Sequence, residues 1–259
     1  MKAAVKDNKD LNRSWIVRVG KRARRFINPT IKKYSRIGDG PVLDNKHFPW
    51  IDELERHTDV IRAEAESILR FEDAIPPISL ISPDHKNLDD EQKWLSYFLW
   101  GYENKSPENC ARCPETTRFV ESIPGMTTAL FSIHKPGMRI KPHKGVTAGI
   151  CVAHLGLRIP KKRENCAIRV DDQVLHWADG KVIVFDDTYQ HETWNNTDEY
   201  RIILLLHIKR PVRFPGSVLS NLFMGGIKRT PFIRDAIRNM NEWEQAYQRL
   251  EHDQAQAAE

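Results

Sequence analysis

The chain has 259 residues, of which 40% are hydrophobic and 29% charged, and it carries four cysteines. That balance is ordinary for a soluble globular protein and excludes a disordered tail, a collagen or a low-complexity array, while so few cysteines do not make a disulfide scaffold. The formal net charge of +5 is uneven: residues 1–37 hold twelve Lys or Arg against two acids, so the remainder is net acidic.

Residues 1–37 read as a basic leader. Trp15, Ile16, Val19, Phe26 and Ile27 interleave with its cations, a pattern that suits a short helix lying on an anionic surface. A solvated leader without fixed structure has equal weight. No apolar run reaches the roughly 18–20 residues of a membrane span, and the N-terminus lacks the apolar core of a signal peptide. The expected setting is cytoplasmic, with peripheral contact at the inner membrane face as the alternative; nucleic acid is not expected as a partner.

The leader is expected to end near Gly38-Asp39-Gly40-Pro41. Residues 52–70 predict one helix, with Leu54, His57, Ile61, Ala65, Ile68 and Leu69 at three- and four-residue spacings. Residues 74–92, with Pro76, Pro77 and Pro83, predict a loop. KWLSYFLWGY reads as a strand, and Pro114 opens a short helix over 114–123. From 126 the texture changes to TALFSIH, MRIKPH, TAGICVAHLGLRI, CAIRV, QVLHW, KVIVFD, HETW and YRIILLLHIKR. Each segment is short, rich in β-branched or aromatic residues, and bounded by turn formers. Eight strands over about 85 residues is the spacing of a β-sandwich or jelly roll. After Pro211 the pattern is helical again, apolar over 216–224 and amphipathic over 230–252 through Phe232, Ile233, Ile237, Trp243 and Tyr247. The predicted fold is mainly β, with a jelly-roll core at 126–210 and flanking N- and C-terminal helices.

Of ten histidines, His47, His57, His85 and His252 sit in helical or polar contexts and read as surface residues. His143 and His191 differ. Both lie at strand ends, where side chains from separate strands converge, and neutral imidazole is a common transition-metal ligand. Arg201 opens the most apolar strand of the chain. A buried guanidinium needs a partner there, and a dicarboxylate held as a bidentate pair is one. Two separated histidines do not by themselves establish a metal site, and a sugar-binding or storage cupin would share the pattern. Cys110-Ala-Arg-Cys113 lacks the second pair of a zinc site, so its thiols are expected to be free.

The stretches WLSYFLW, SIHKPG, PHKG, HLGLRIP, DGKVIVFDDTYQHETWNNT and YRIILLLHIKRP, between Trp94 and Val212, resemble the aspartyl/asparaginyl β-hydroxylase family. That family includes peptidyl-aspartate hydroxylases and bacterial lipid A 2-hydroxylases. The resemblance implies a double-stranded β-helix that binds Fe(II) and 2-oxoglutarate and consumes O2. It assigns His143 and His191 to the metal, Arg201 and Ser132 to the distal carboxylate of 2-oxoglutarate, and Trp94 and His154 to the same pocket. Most iron/2-oxoglutarate enzymes carry a carboxylate two residues after the first histidine; here Gly145 stands there, as in the peptidyl type, whereas the lipid A type has Asp. Asp186 and Asp187 are the nearest other acids and read as turn residues behind the ligands. His176 and His207 match nothing functional. Val152 and Ile150 stand where the peptidyl type has arginines facing co-substrate and acidic substrate.

Organised on this resemblance, residues 38–212 form a dioxygenase domain between the leader and a C-terminal helical extension, 213–259. The implied function is hydroxylation of an unactivated C–H bond of a peptide or amino-acid side chain, of Asp or Asn type. The alternative is an acyl chain, of lipid A or another lipid, at a membrane face, which the basic leader and the apolar VRFPGSVLSNLF favour. A non-catalytic jelly-roll binding module is the third reading.

Overall fold

Alternation along RIILLLHIK, strand β11 (Arg201–Lys209), organises the molecule. Ile202, Leu204, Leu206 and Ile208 enter one apolar cluster, whereas Ile203 and Leu205 enter another. Successive side chains of a strand point to opposite faces, so β11 lies in a sheet buried on both sides. In the computed structural model, which describes residues 15–82, 85 and 87–257, β11 is the centre of a seven-stranded antiparallel sheet. Residues 1–14 of the leader, Pro83 of the expected loop, and the side chains of Trp15, Ile16 and Val19 lie outside the described residues.

The large sheet runs in the order β1 (Val42–Leu43), β9 (Val182–Phe185), β6 (Ile150–Arg158), β11, β4 (Met126–His134), β2 (Trp94–Gly101) and β3 (Asn104–Lys105). A second sheet of four strands runs β5 (Arg139–His143), β10 (His191–Asn195), β7 (Cys166–Val170) and β8 (Gln173–His176). Met138, Ile140, Cys166, Ile168 and Val170 of this region pack against Trp94, Phe98, Leu130, Val152, Phe185, Ile203 and Leu205 of the large sheet. One apolar core therefore lies between the two sheets. The eight strands expected from 126 onward all form.

The outer face of the large sheet is covered by helices. α3 (Thr58–Leu69) buries Ile61, Ala65 and Ile68 against it, and α8 (Pro231–Ala257) adds Tyr247. The remaining helices are α1 (Trp15–Lys33), α2 (Ile51–Arg56), α4 (Ile78–Ile81), α5 (Pro107–Arg112), α6 (Pro114–Ser122) and α7 (Gly216–Lys228). Two findings correct the sequence reading. Helices hold more residues than strands, so the chain as a whole is mixed rather than mainly β. The single helix expected over 52–70 is two, because the chain leaves helical geometry at His57 (φ −104°, ψ 16°). There the Thr58 hydroxyl donates to the Glu55 carbonyl at 2.8 Å and the His57 ring packs on Phe119 at 4.3 Å.

The leader is not detached along its described length. Ile31 of α1 is fully buried, and Lys32 reaches Asp186 at 3.1 Å.

Candidate active site

Residues of even number on β4, β6 and β2 and of odd number on β11 face the gap between the sheets. That periodicity places Trp94, Ser132, His134, His154 and Arg201 on one apolar wall, buried. The second sheet supplies the opposing side, with His143 at the end of β5 and His191 at the start of β10 on the same rung of an antiparallel pair.

The two histidine rings stand 4.1 Å apart between centroids. Each is oriented by its own strand entry. The Nδ1 of His143 lies 2.9 Å from the Lys141 carbonyl, and the Nδ1 of His191 lies 3.1 Å from the Tyr189 carbonyl. A carbonyl only accepts, so each Nδ1 carries the proton and each Nε2 keeps its lone pair, the form that binds a metal. Burial lowers both pKa values, that of His191 to about 4, so both rings are neutral at neutral pH.

Asp186 and Asp187 precede His191 in a tight turn. Asp186 accepts from the backbone N–H of Thr188 at 2.9 Å and is buried against Arg210 at 2.6 Å. The Asp187 backbone carbonyl accepts from the Gly145 N–H at 2.6 Å, joining the two histidine-bearing segments. A Cβ at position 145 would lie 2.1 Å from the Asp187 carboxylate. The Asp187 carboxylate thus fills the space where a side chain at 145 would begin. Burial and the neighbouring Asp186 push its carboxyl up to about 7. No group of three or more His, Cys, Asp or Glu side chains suited to a metal occurs among the described residues.

Arg201 lies across the gap. Its guanidinium packs 4.6 Å from the Trp177 ring and donates through Nη1 to the Ser132 carbonyl at 3.2 Å. Its Nε has no partner, and it pairs with no carboxylate among the described residues. Burial pulls it down to about 9, which leaves it cationic at neutral pH. The Trp94 indole donates to the Ser132 hydroxyl at 2.9 Å. The Trp177 indole donates to the His154 Nδ1 at 3.3 Å, and His154 sits edge-on to Phe185 at 5.0 Å, which in turn lies 5.6 Å from His191. The six residues singled out in the sequence are therefore gathered around one inter-sheet space.

Three further residues share that space without a sequence signal. Trp177 is fully buried beneath Arg201. His134 is fully buried opposite Arg201 with both ring nitrogens unpartnered, and burial holds its pKa well below the usual range. His85, read from sequence as a surface residue, is instead part-buried against Trp94 at 5.3 Å, close enough to His143, His191 and His207 for their charges to lower its pKa, after burial itself, to about 3. An irregular segment folds it inward, and no periodicity announces that. Val152 lies on the same face of β6, buried and opposite Phe185. The four cysteines are buried free thiols, and burial raises Cys110 to about 11.

These residues fit an iron/dicarboxylate pair: two neutral imidazoles with free Nε2 atoms, and a buried cation with an unused donor. A family model for aspartyl/asparaginyl beta-hydroxylase matches residues 55–211. The ornithine lipid ester-linked acyl 2-hydroxylase of Rhizobium tropici is 40% identical over 215 residues, covering 83% of this chain and 76% of that protein. The human aspartyl/asparaginyl beta-hydroxylase is 31% identical over 170 residues, which is 64% of this chain but 22% of the human protein. Among solved structures, a Pseudomonas putida prolyl-4-hydroxylase aligns over 62% of this chain and 100% of its own at a TM-score of 0.42 and 14% identity. On the extent of the family match and the identity to the Rhizobium protein, the chain belongs to the aspartyl/asparaginyl β-hydroxylase family of hydroxylases.

Proposed function

We propose that the protein is an Fe(II)- and 2-oxoglutarate-dependent dioxygenase built on a double-stranded β-helix, and that it hydroxylates the acyl chain of a polar lipid. The observation that carries the cofactor reading is Arg201: a buried cation, unpaired by any described acid, facing the same space as two converging neutral histidines. A desolvated guanidinium is costly alone and is matched by a carboxylate with two oxygens. Arg201 would bind the distal carboxylate of 2-oxoglutarate, with the Ser132 hydroxyl, positioned by Trp94, beside it. His143 and His191 would hold the iron. Bound there, the pair supplies the O2 activation and hydroxyl transfer that no side chain in the gap performs. The chain's own part is orientation and exclusion of water. Trp177 fixes the guanidinium plane, the backbone carbonyls of Lys141 and Tyr189 fix the imidazole tautomers, and Phe185, Val152 and Leu205 line the space with apolar surface.

Support for an acyl chain over the Asp or Asn side chain that the sequence reading puts first comes from the wall. Val152 presents a buried methyl pair where an arginine would meet an acidic substrate, and the 40% identical relative is named for acyl hydroxylation. Gly145 favours the peptide reading, since it is shared with the peptidyl type. Anaerobic titration of 2-oxoglutarate into the Fe(II)-loaded protein tests the cofactor: a visible charge-transfer band is expected, absent in His143→Ala. No band with iron bound would sink the reading. Mass spectrometry of a polar lipid and of an Asp-containing peptide after turnover, seeking one added oxygen, decides the substrate.

A further inference from the structure

Large apolar side chains exposed to solvent are few, and they are not scattered. Of eight among the described residues, five lie on three touching segments: Phe26 on α1, Val146 in the turn after His143, and Phe214, Val218 and Leu222 on or just before α7. The three most exposed of all, Phe214 at 79%, Phe26 at 76% and Leu222 at 70%, belong to this group. α1 rests on α7. Asn28 of α1 donates to the Val146 carbonyl at 3.3 Å and accepts from the Ala148 N–H at 3.0 Å. α7 buries Gly216, Ser220 and Met224, with Ser220 and Met224 closing on Gly149. The opposite stripe, Phe214, Val218 and Leu222, recurs every four residues, as an amphipathic face does, yet no described residue covers it.

The unpaired exposed charge around this face has one sign. Arg22, Arg25, Lys33, Lys144 and Arg213 are exposed and pair with no described acid. No acidic residue occurs between Asp10 and Asp39, between Glu121 and Glu164, or between Glu199 and Asp235. Apolar tips ringed by unpaired cations complement an anionic surface with an apolar interior. We propose that α1, α7 and the turn after His143 form one docking face for an anionic lipid bilayer. Docked there, the protein presents the segment leaving His143 to the lipid, so that an acyl chain enters the inter-sheet space without crossing water. The choice of a lipid over an acidic protein rests on the acyl-chain reading; the face itself does not.

The test is sedimentation of the full chain with phosphatidylcholine vesicles, with and without phosphatidylglycerol. Binding is expected to the anionic vesicles and to weaken with added salt. Arg22→Gln and Arg25→Gln should each weaken it about five-fold, as expected for a basic residue near an anionic leaflet. Phe26→Glu, Phe214→Glu and Leu222→Glu together should abolish it, with an unchanged circular dichroism spectrum. Val60→Glu, an exposed apolar site elsewhere, should leave it intact. Absence of binding by the unmodified chain, or equal loss in Val60→Glu, overturns the docking face. If that happens while detergent-dispersed lipid is still hydroxylated, docking falls and the acyl-chain reading stands. Vesicle binding without acyl hydroxylation leaves docking standing and removes the acyl reading.

Discussion

At the scale of single residues, Arg201 and Gly145 make the sharpest statements. Arg201 is a buried cation whose protein contacts are a carbonyl and an aromatic face, so Arg201→Met strands no acid. We expect the thermal midpoint of the ligand-free variant to equal or exceed that of the parent, while 2-oxoglutarate binding weakens by about 2–5 kcal/mol. Calorimetric scanning and ligand titration measure the two; a fall of several degrees would place Arg201 in the fold rather than the site. Gly145 invites the opposite experiment, since Asp at that position would supply the missing carboxylate. The Asp187 carboxylate already fills the space. Gly145→Asp should therefore cost about 1–3 kcal/mol by overpacking, and part of that cost should vanish when Asp187→Gly is added. Urea unfolding of the four proteins in a double-mutant cycle gives the coupling; additive costs would show that the two positions do not compete for one space.

Among elements, the long strands were legible, whereas the two-residue strands β1 and β3, the short helices α4 and α5 and the break at His57 were not. Period-two alternation and bounding turn residues are local properties, so β4 through β11 followed from the sequence within three residues. α5 escaped because its entry is capped from far away: Glu244 of α8 accepts from the Glu108 and Asn109 N–H groups at 2.9 and 3.2 Å. α6 is capped in the same manner by Glu64 of α3, which accepts from the N–H groups of Glu115 and Thr116 at 2.9 and 2.8 Å and from the Thr116 hydroxyl at 2.6 Å. A carboxylate at a helix N-terminus satisfies orphan donors and opposes the positive end of the macrodipole. Glu64→Ala should destabilise the protein by about 1–3 kcal/mol, and Glu64→Gln by less. Equal stability of Glu64→Ala and the parent would mean that water replaces the cap at no cost.

Across the whole molecule, burial of neutral histidines couples stability to pH. Burial lowers His85 to about 3 and His191 and His207 to about 4, and it holds His134 and His154 well below their ordinary value. In the unfolded chain each returns to about 6.5. As pH falls below that value the unfolded state takes up protons that the folded state refuses, so stability declines. The contribution is whole above pH 6.5 and is lost progressively toward pH 4. With metal chelated, the thermal midpoint should fall steeply between pH 6 and 4, offset in part by Asp187, whose raised carboxyl takes up a proton in the folded state as pH falls through about 7. His134→Leu should make that fall shallower; an unchanged slope would remove His134 from the account. The leader takes part at this scale too: Lys32 joins Asp186 and Arg210, and lies 3.8 Å over the ring of Tyr189, whose carbonyl orients His191. Helix α1 is thus tied to the entry of the strand that carries His191 as well as to α7.

The sequence by itself determined the strand pattern and the apolar faces, because alternation and turn chemistry act over a few residues of chain, while its resemblance to the family pointed to the six residues around the inter-sheet space. Which faces meet was decided only in three dimensions. His85 and Trp177 enter the site, Glu64 and Glu244 cap distant helices, Asp187 fills the space beside Gly145, and Phe26 joins Leu222 on one exposed apolar face, each through contacts between segments far apart in the chain. Such contacts arise from the close packing of the two sheets and their helices, and no local propensity encodes them.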